Sequence, residues 1–86
     1  MTTHELKTWP EFFTAIVDGR KRFELRKDDR GFAVGDGLIL KEWNPNTKSY
    51  TGSQVVVIVT YIVKGFTGIQ DGYVIMGISE PPAIGR

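Results

Sequence analysis

The chain has 86 residues, of which 41% are hydrophobic and 24% charged, enough apolar material for one small domain and too little for two. It contains no cysteine, which excludes disulfide frameworks, zinc ribbons, redox motifs and cysteine nucleophiles. No apolar run approaches the roughly 18 residues that cross a bilayer, and the polar N-terminus is unlike a signal peptide. We therefore expect a cytoplasmic protein without a membrane partner.

The first predicted elements are a short strand at His4–Lys7 and a helix directly after it. Thr8 fits a helix N-cap, and Glu11 completes a capping box three residues later. Gly19 is expected to end the helix in the left-handed conformation, so the helix is about nine or ten residues long. Its apolar stripe consists of Phe12, Phe13, Ile16 and Val17.

Residues 19–30 carry most of the positive charge. They hold six of the 11 basic residues and three of the ten acidic ones, so this segment is +3 while the rest of the chain is −2. One basic segment in a nearly neutral protein indicates a local contact with an anion, not a polycation that coats nucleic acid. The six basic residues are Arg20, Lys21, Arg22, Arg26, Lys27 and Arg30.

The hydrophobic period changes to two within this segment, which predicts a half-buried strand over residues 20–27. Phe23 and Leu25 are expected to anchor the strand in the core. Lys21 shares their parity and therefore belongs to the same side, unless it lies at the mouth of the barrel or beside a bulge that redirects its side chain. The opposite, solvent-facing side is then charged and consists of Arg22, Glu24 and Arg26.

Three further strands are predicted at Leu38–Trp43, Tyr50–Val63 and Tyr73–Ile78, separated by turn-forming residues. The run Val55–Val63 is too continuous for a strand with one face in water, so we expect it to be shared between packed layers or to run around a barrel. Residues 81–86 have two prolines and no periodicity, which indicates a loose tail.

The predicted fold class is α+β. Short turns make most strand pairs antiparallel, and a small curled β-barrel with the one early helix packed at its end avoids exposed sheet edges. The whole chain, residues 1–86, is expected to form a single domain.

The pattern Gly19-x-Lys21-x-x-Glu24-x-Arg26 resembles the signature of ASCH domains, which are small PUA-like β-barrels associated with RNA. The resemblance extends in consistent order over residues 4–78 and is to an uncharacterised bacterial and bacteriophage subgroup. The other segments that carry it are His4–Lys7, Val34–Asp36, Glu42–Trp43 and Gly72–Met76.

The resemblance implies a cleft between helix and sheet, lined by Lys21, Glu24 and Arg26, with RNA or a nucleotide as ligand. One branch of the superfamily is an amidohydrolase acting on acetylcytidine, in which the lysine is catalytic. A threonine nucleophile stands there at the position of Glu24, and a carboxylate cannot perform that hydroxyl chemistry. A different hydrolysis of a modified nucleoside or RNA, using Lys21 and Glu24, is the alternative.

Three interpretations of these charges remain open. Lys21, Glu24 and Arg26 form either a structural ion-pair network or a ligand site, in which the arginine fork and the carboxylate contact a phosphate or a base edge. A neighbouring carboxylate favours the charged form of Lys21, which argues for binding over catalysis. A protein-interaction module, in which the cleft is merely structural, is the third interpretation.

The outer contacts are less specific. Phosphate contacts at the cleft rim are expected from Arg20, Arg22, Lys27 and Arg30, and base stacking from Trp43 and Tyr61. We expect no metal and no cofactor. His4, the only histidine, is interpreted as a surface or hydrogen-bonded strand residue.

Overall fold

A computed structural model describes residues 2–80, and the predicted tail at 81–86 lies outside the described residues. Within that part, no helix is long and apolar enough to span a bilayer. The strand predictions are confirmed to within three residues at each end. The elements are β1 (Thr3–Thr8), α1 (Pro10–Val17), β2 (Phe23–Lys27), β3 (Gly37–Asn44), β4 (Ser49–Val63) and β5 (Tyr73–Ile78).

The strands form one sheet in the order β1-β3-β4-β5-β2. The pair β1–β3 is parallel and the other three pairs are antiparallel. The domain is therefore mostly sheet with one short helix, as the sequence indicates. Strands β1 and β2 are the two edges, and no backbone ladder joins them within residues 2–80, so closure of the sheet into a barrel stays a prediction.

Strand β4 holds the two halves of the sheet together. Its first part pairs with β3 and its last part with β5, and the β5 register shifts between Val59 and Tyr61. The long strand is thus shared between the two halves of one sheet. Its side chains nevertheless alternate, because Val55 and Val57 are buried while Val56 is 39% and Tyr61 68% exposed. The continuous apolar run therefore leaves one face of the sheet partly open to solvent.

Both halves of the sheet contribute to one hydrophobic core. Helix α1 packs against β3 and adds Phe13 and Ile16 to that core. Because inward side chains from both halves share one cluster, the sheet curves around them. The strand residues of the cluster are Leu6, Leu38, Leu40, Val55, Val57, Val59, Val74, Met76 and Ile78.

The start of the helix differs from the predicted capping box. The N-cap is Trp9, without a side-chain cap hydrogen bond, and the helix has eight residues. Thr8 is not available as a cap because it is still part of β1, where it lies opposite Glu42 of β3. The predicted helix end is confirmed, since Gly19 has a φ of 85° that favours glycine.

The predicted orientation of β2 is wrong. Phe23 and Leu25 do not anchor the strand in the core: they are 49% and 56% exposed, whereas Glu24 is 3% exposed. The register with β5 decides this, because Glu24 lies opposite Met76, whose side chain is in the core. The period of two is correct, but its phase is reversed.

Candidate functional site

A cleft of about 470 Å³ opens between the start of α1 and strand β2. Its walls are apolar and exposed: Trp9 and Phe12 line it from the helix side, and Phe23 and Leu25 from the strand side. Trp9 is 50% and Phe12 45% exposed. The reversed phase of β2 is what places aromatic side chains at the rim and a carboxylate at the base of the cleft.

The base of the cleft is a three-residue ion cluster. Glu24 Oε2 accepts a hydrogen bond from Lys21 Nζ at 2.8 Å, and Glu24 Oε1 accepts one from Arg26 Nε at 2.8 Å. The two cationic side chains are 16% and 24% exposed, so both face the cleft and are only partly solvated. Two cations against one carboxylate leave a formal charge of about +1 at the base. The predicted trio is thus brought together.

Arg26 also crosses to the other edge of the sheet. Its Nη2 donates to the Lys7 carbonyl oxygen at 2.8 Å and to Thr8 Oγ1 at 3.3 Å, both on β1. Arg30 Nη1 donates to the Glu5 carbonyl oxygen at 2.7 Å. These side chains satisfy carbonyl groups that a neighbouring strand would otherwise bind. We call these bonds from Arg26 and Arg30 to β1 the arginine seam.

Lys21 is held from several directions. Besides Glu24, its Nζ donates to the Phe23 carbonyl oxygen at 2.6 Å. The same nitrogen lies 4.6 Å from the ring centroid of Phe23 and 5.6 Å from that of Phe12, within the range of cation–π attraction. The ammonium group is therefore fixed where the aromatic walls meet the polar base.

The predicted rim cations lie outside the cleft lining and mostly bind within the chain. Arg20 pairs with Asp18 and Arg22 pairs with Glu80. Lys27 is exposed on β2 and makes no ion pair within residues 2–80. Of the four predicted phosphate contacts, Lys27 is thus the one without an ion pair, since Arg30 Nε lies 3.8 Å from Asp29 Oδ1.

The two predicted stacking residues do not line the cleft. Trp43, on β3, packs against the Tyr50 ring with centroids 5.0 Å apart and lies 4.0 Å from Lys7 Nζ. Tyr61 lies on β4, on the face of the sheet that points away from the core.

Six cleft residues escaped prediction from the sequence: Lys7, Thr8, Trp9, Phe12, Phe23 and Leu25. No local signal identifies these residues. Phe12 shares the predicted apolar stripe with Phe13 and Ile16, so the stripe by itself predicts that it is buried. The position of the residues on β1 and β2 depends on how the two edge strands pack.

The polar pair of His4 and Asp36 lies apart from the cleft and is structural. His4 is 7% exposed, and its Nε2 donates to Asp36 Oδ2 at 2.9 Å, which confirms a hydrogen-bonded strand residue. This hydrogen bond from His4, with smaller contributions from the backbone N–H groups of Ala33 and Thr2, holds the pKa of Asp36 below its usual value despite burial. The described residues contain no group of three or more metal-binding side chains.

The fold and the cleft define a small, mostly-sheet domain with a charged pocket between its helix and an edge strand. The chain belongs to the family DUF3850, a domain of unknown function, whose model matches residues 3–78 and so includes every element and the whole cleft. It is 36% identical over 73 residues to an uncharacterised 12.9 kDa protein of the GpA 3′ region of Escherichia phage P2. That alignment covers 85% of this chain and 64% of the phage protein, so the domain is phage-related and spans just under two thirds of that relative.

Proposed function

We propose that this domain binds RNA or a nucleotide by taking a base into the cleft. The observation that carries the proposal is the buried Glu24 carboxylate, fixed by Lys21 and Arg26 beneath exposed aromatic walls. A planar heterocycle needs stacking partners on its faces and hydrogen-bonding groups at its edge, and the cleft offers both.

The polar base matches the edge of a nucleobase better than a bare phosphate. Each Glu24 oxygen accepts one hydrogen bond from a cation and has a second lone pair for an amino or imino N–H of a base. Arg26 Nη1 donates to no group within residues 2–80 and is available to a base carbonyl oxygen. The cavity volume lies in the usual range of small-molecule sites.

The resemblance to ASCH domains supports the same ligand class and extends the proposal to the fold. A PUA-like barrel would bring β1 and β2 side by side, and here the arginine seam joins these two edges through side chains. We include in the proposal that the seam is this domain's form of barrel closure.

The remaining cations suggest weak phosphate contact. Because Arg20 and Arg22 are paired with carboxylates, Lys27 is the first candidate to contact the backbone of a bound strand. For single strands, each neutralised phosphate lowers the slope of log affinity against log salt concentration by about 0.7. One or two such contacts give an expected slope of about −0.7 to −1.4 and not the steep dependence of a polycationic protein.

The hydrolase alternative has less support from the geometry. Glu24 would have to act as nucleophile or base, yet both of its oxygens are engaged by cations at 2.8 Å. Incubation of the pure protein with acylated nucleosides, compared with Lys21→Ala, tests this alternative. If wild type turns over such a substrate and Lys21→Ala does not, the function is catalysis and not binding alone.

The first prediction concerns the wall of the cleft. Trp9→Ala removes a half-exposed ring that contributes nothing to the core, so it should leave folding intact and weaken nucleotide binding about tenfold or more, as loss of one stacked base does. Isothermal titration with AMP, GMP, CMP and UMP measures this. Phe66→Ala is the matched control, because Phe66 is 70% exposed and lies outside the cleft lining.

If wild type and Trp9→Ala bind nucleotides with equal affinity, the cleft is not the binding site. Absence of binding to all four nucleotides and to short RNA would reject the proposal. In that case, recovery of a stoichiometric protein partner, lost on Trp9→Ala, would assign the cleft to protein interaction.

A further inference from the structure

The face of the sheet that points away from the core carries two uncharged rows across β2, β5 and β4. Phe23 and Tyr61 both lie opposite Gly77, one on each side of it. In the next row, Leu25 and Val63 both lie opposite Ile75. We call the first the aromatic row, consisting of Phe23, Gly77 and Tyr61, and the second the aliphatic row, consisting of Leu25, Ile75 and Val63.

Gly77 contributes no side chain to the middle of the aromatic row, and the Thr60 hydroxyl occupies the space beside it. A Cβ atom added there would lie 3.0 Å from Thr60 Oγ1 and 3.6 Å from Tyr61 Cβ, so the space above this position is bounded by the side chains of β4. Neighbouring strands are about 4.8 Å apart, which places the two strands that flank β5 about 10 Å apart. Phe23 and Tyr61 thus lie on either side of Gly77, with the Thr60 hydroxyl beside it.

The aromatic row is continuous with the cleft. Phe23 and Leu25 belong to the two rows and also form the strand-side wall of the cleft, because β2 is an edge strand with the cleft beside it. A strand of nucleotides with one base in the cleft therefore meets Phe23 next and then Tyr61 on the other side of Gly77.

We propose that this outer face is a second base-stacking site, so that the ligand is a single strand of several nucleotides and not one nucleotide. The inference rests on the function proposed above. Tyr61, 68% exposed, is the residue specific to this second site.

The charges around the rows favour a nucleic acid over a protein surface. Neither row contains a charged residue, and Lys27 follows the aliphatic row along β2, opposite Tyr73. Lys64 follows Val63 directly and pairs with Asp28 at 3.1 Å, while Glu80 is paired with Arg22. Asp28 and Glu80 are thus compensated, and the exposed Lys27 is available to a phosphate at the far end of the aliphatic row.

The test compares two ligand lengths on one set of variants. AMP, GMP, CMP and UMP report the cleft alone, and the four homopolymeric RNA pentanucleotides report the cleft together with the outer face. Tyr61→Ala should weaken pentanucleotide binding about tenfold and leave mononucleotide affinity unchanged. Tyr61→Phe should bind pentanucleotides as tightly as wild type, because the aromatic ring and not the hydroxyl group stacks on the base. Tyr50→Ala, which removes another half-exposed tyrosine of the same strand, is the control.

The outcomes separate this inference from the proposed function. If mononucleotides bind and pentanucleotides bind no more tightly, there is no second stacking site, although the cleft remains a nucleotide site. The same holds if wild type and Tyr61→Ala bind pentanucleotides with equal affinity. If neither ligand length binds, the cleft fails as a nucleotide site and the inference falls with it. Concentration-dependent dimerisation lost on Tyr61→Ala, with pentanucleotide affinity unchanged, assigns the outer face to a second copy of the chain and overturns the inference.

Discussion

Glu24 has the least ordinary environment of the residues in the cleft. An ionised carboxylate that is 3% exposed is costly to bury unless cations and hydrogen bonds replace its water. Lys21 and Arg26 do so, each at 2.8 Å, and neither is exposed enough to be fully solvated itself. The cluster is therefore interdependent, since removing its one anion leaves two cations close together.

Glu24→Gln should lower the free energy of unfolding by about 1–3 kcal/mol, because the amide cannot neutralise the two cations and leaves one donor without its acceptor. Urea denaturation followed by circular dichroism measures the change. The control is Glu5→Gln, which breaks an exposed pair with Lys41 at 3.3 Å and should change stability by less than about 0.5 kcal/mol. Equal, small effects of both substitutions would show that the cluster contributes no stability.

At the scale of the elements, the junction between β1 and β2 is the unusual feature. The two edge strands have no backbone ladder between them; instead, Arg26 of β2 and Arg30 of the loop after β2 donate hydrogen bonds to carbonyl groups of β1. Arginine suits this position because its planar guanidinium presents several donors to carbonyl groups at once. The same bonds hold Lys7 and Thr8 at the side of the cleft.

Arg30→Ala tests the seam without touching the cleft lining. It leaves the Glu5 carbonyl without its side-chain donor, so β1 should open locally more often and its amide protons should exchange about two- to fivefold faster, as expected for loss of one hydrogen bond. Hydrogen exchange measured by nuclear magnetic resonance resolves this. In Arg20→Ala, which breaks an exposed pair with Asp18 at the helix end, β1 exchange should be unchanged. Unchanged exchange in Arg30→Ala would mean that the seam does not hold β1.

At the scale of the whole molecule, Asp36 connects three segments that are distant in the chain. Its carboxylate accepts from His4 of β1 at 2.9 Å and from the Ala33 N–H at 3.0 Å, while its carbonyl oxygen accepts from the Val59 N–H of β4 at 2.9 Å. This residue fixes the entry to β3 beside both of its neighbours. The parallel pair β1–β3 starts from this point, with the Gly37 N–H donating to the Thr2 carbonyl oxygen.

The lowered pKa of Asp36 gives the stability of the molecule a definite pH dependence. Because the folded state favours the carboxylate, its stabilising contribution is complete above the unfolded value of about 3.9 and is lost as the pH falls through the lower, folded value. Asp36→Asn should be less stable than wild type at pH 7 and should lose less stability on acidification from pH 5 to pH 2. Thermal melts across this range measure the difference, and parallel curves for the two proteins would contradict it.

Much of the local structure follows from the sequence because it depends on local properties. Hydrophobic period predicts five strands and a helix near their observed positions, and Gly19 ends the helix because its backbone conformation favours glycine. The resemblance brings Lys21, Glu24 and Arg26 together as a site, and the structure places them in one ion cluster.

Only tertiary structure determines which side chains of β2 face the core. A period of two is the same in either orientation, and pairing with Met76 and Val74 selects one of them. The position of Trp9 and Phe12 also depends on tertiary packing. The core takes up Phe13 and Ile16 of the helix, and Trp9 and Phe12 stay exposed and line the cleft beside β2.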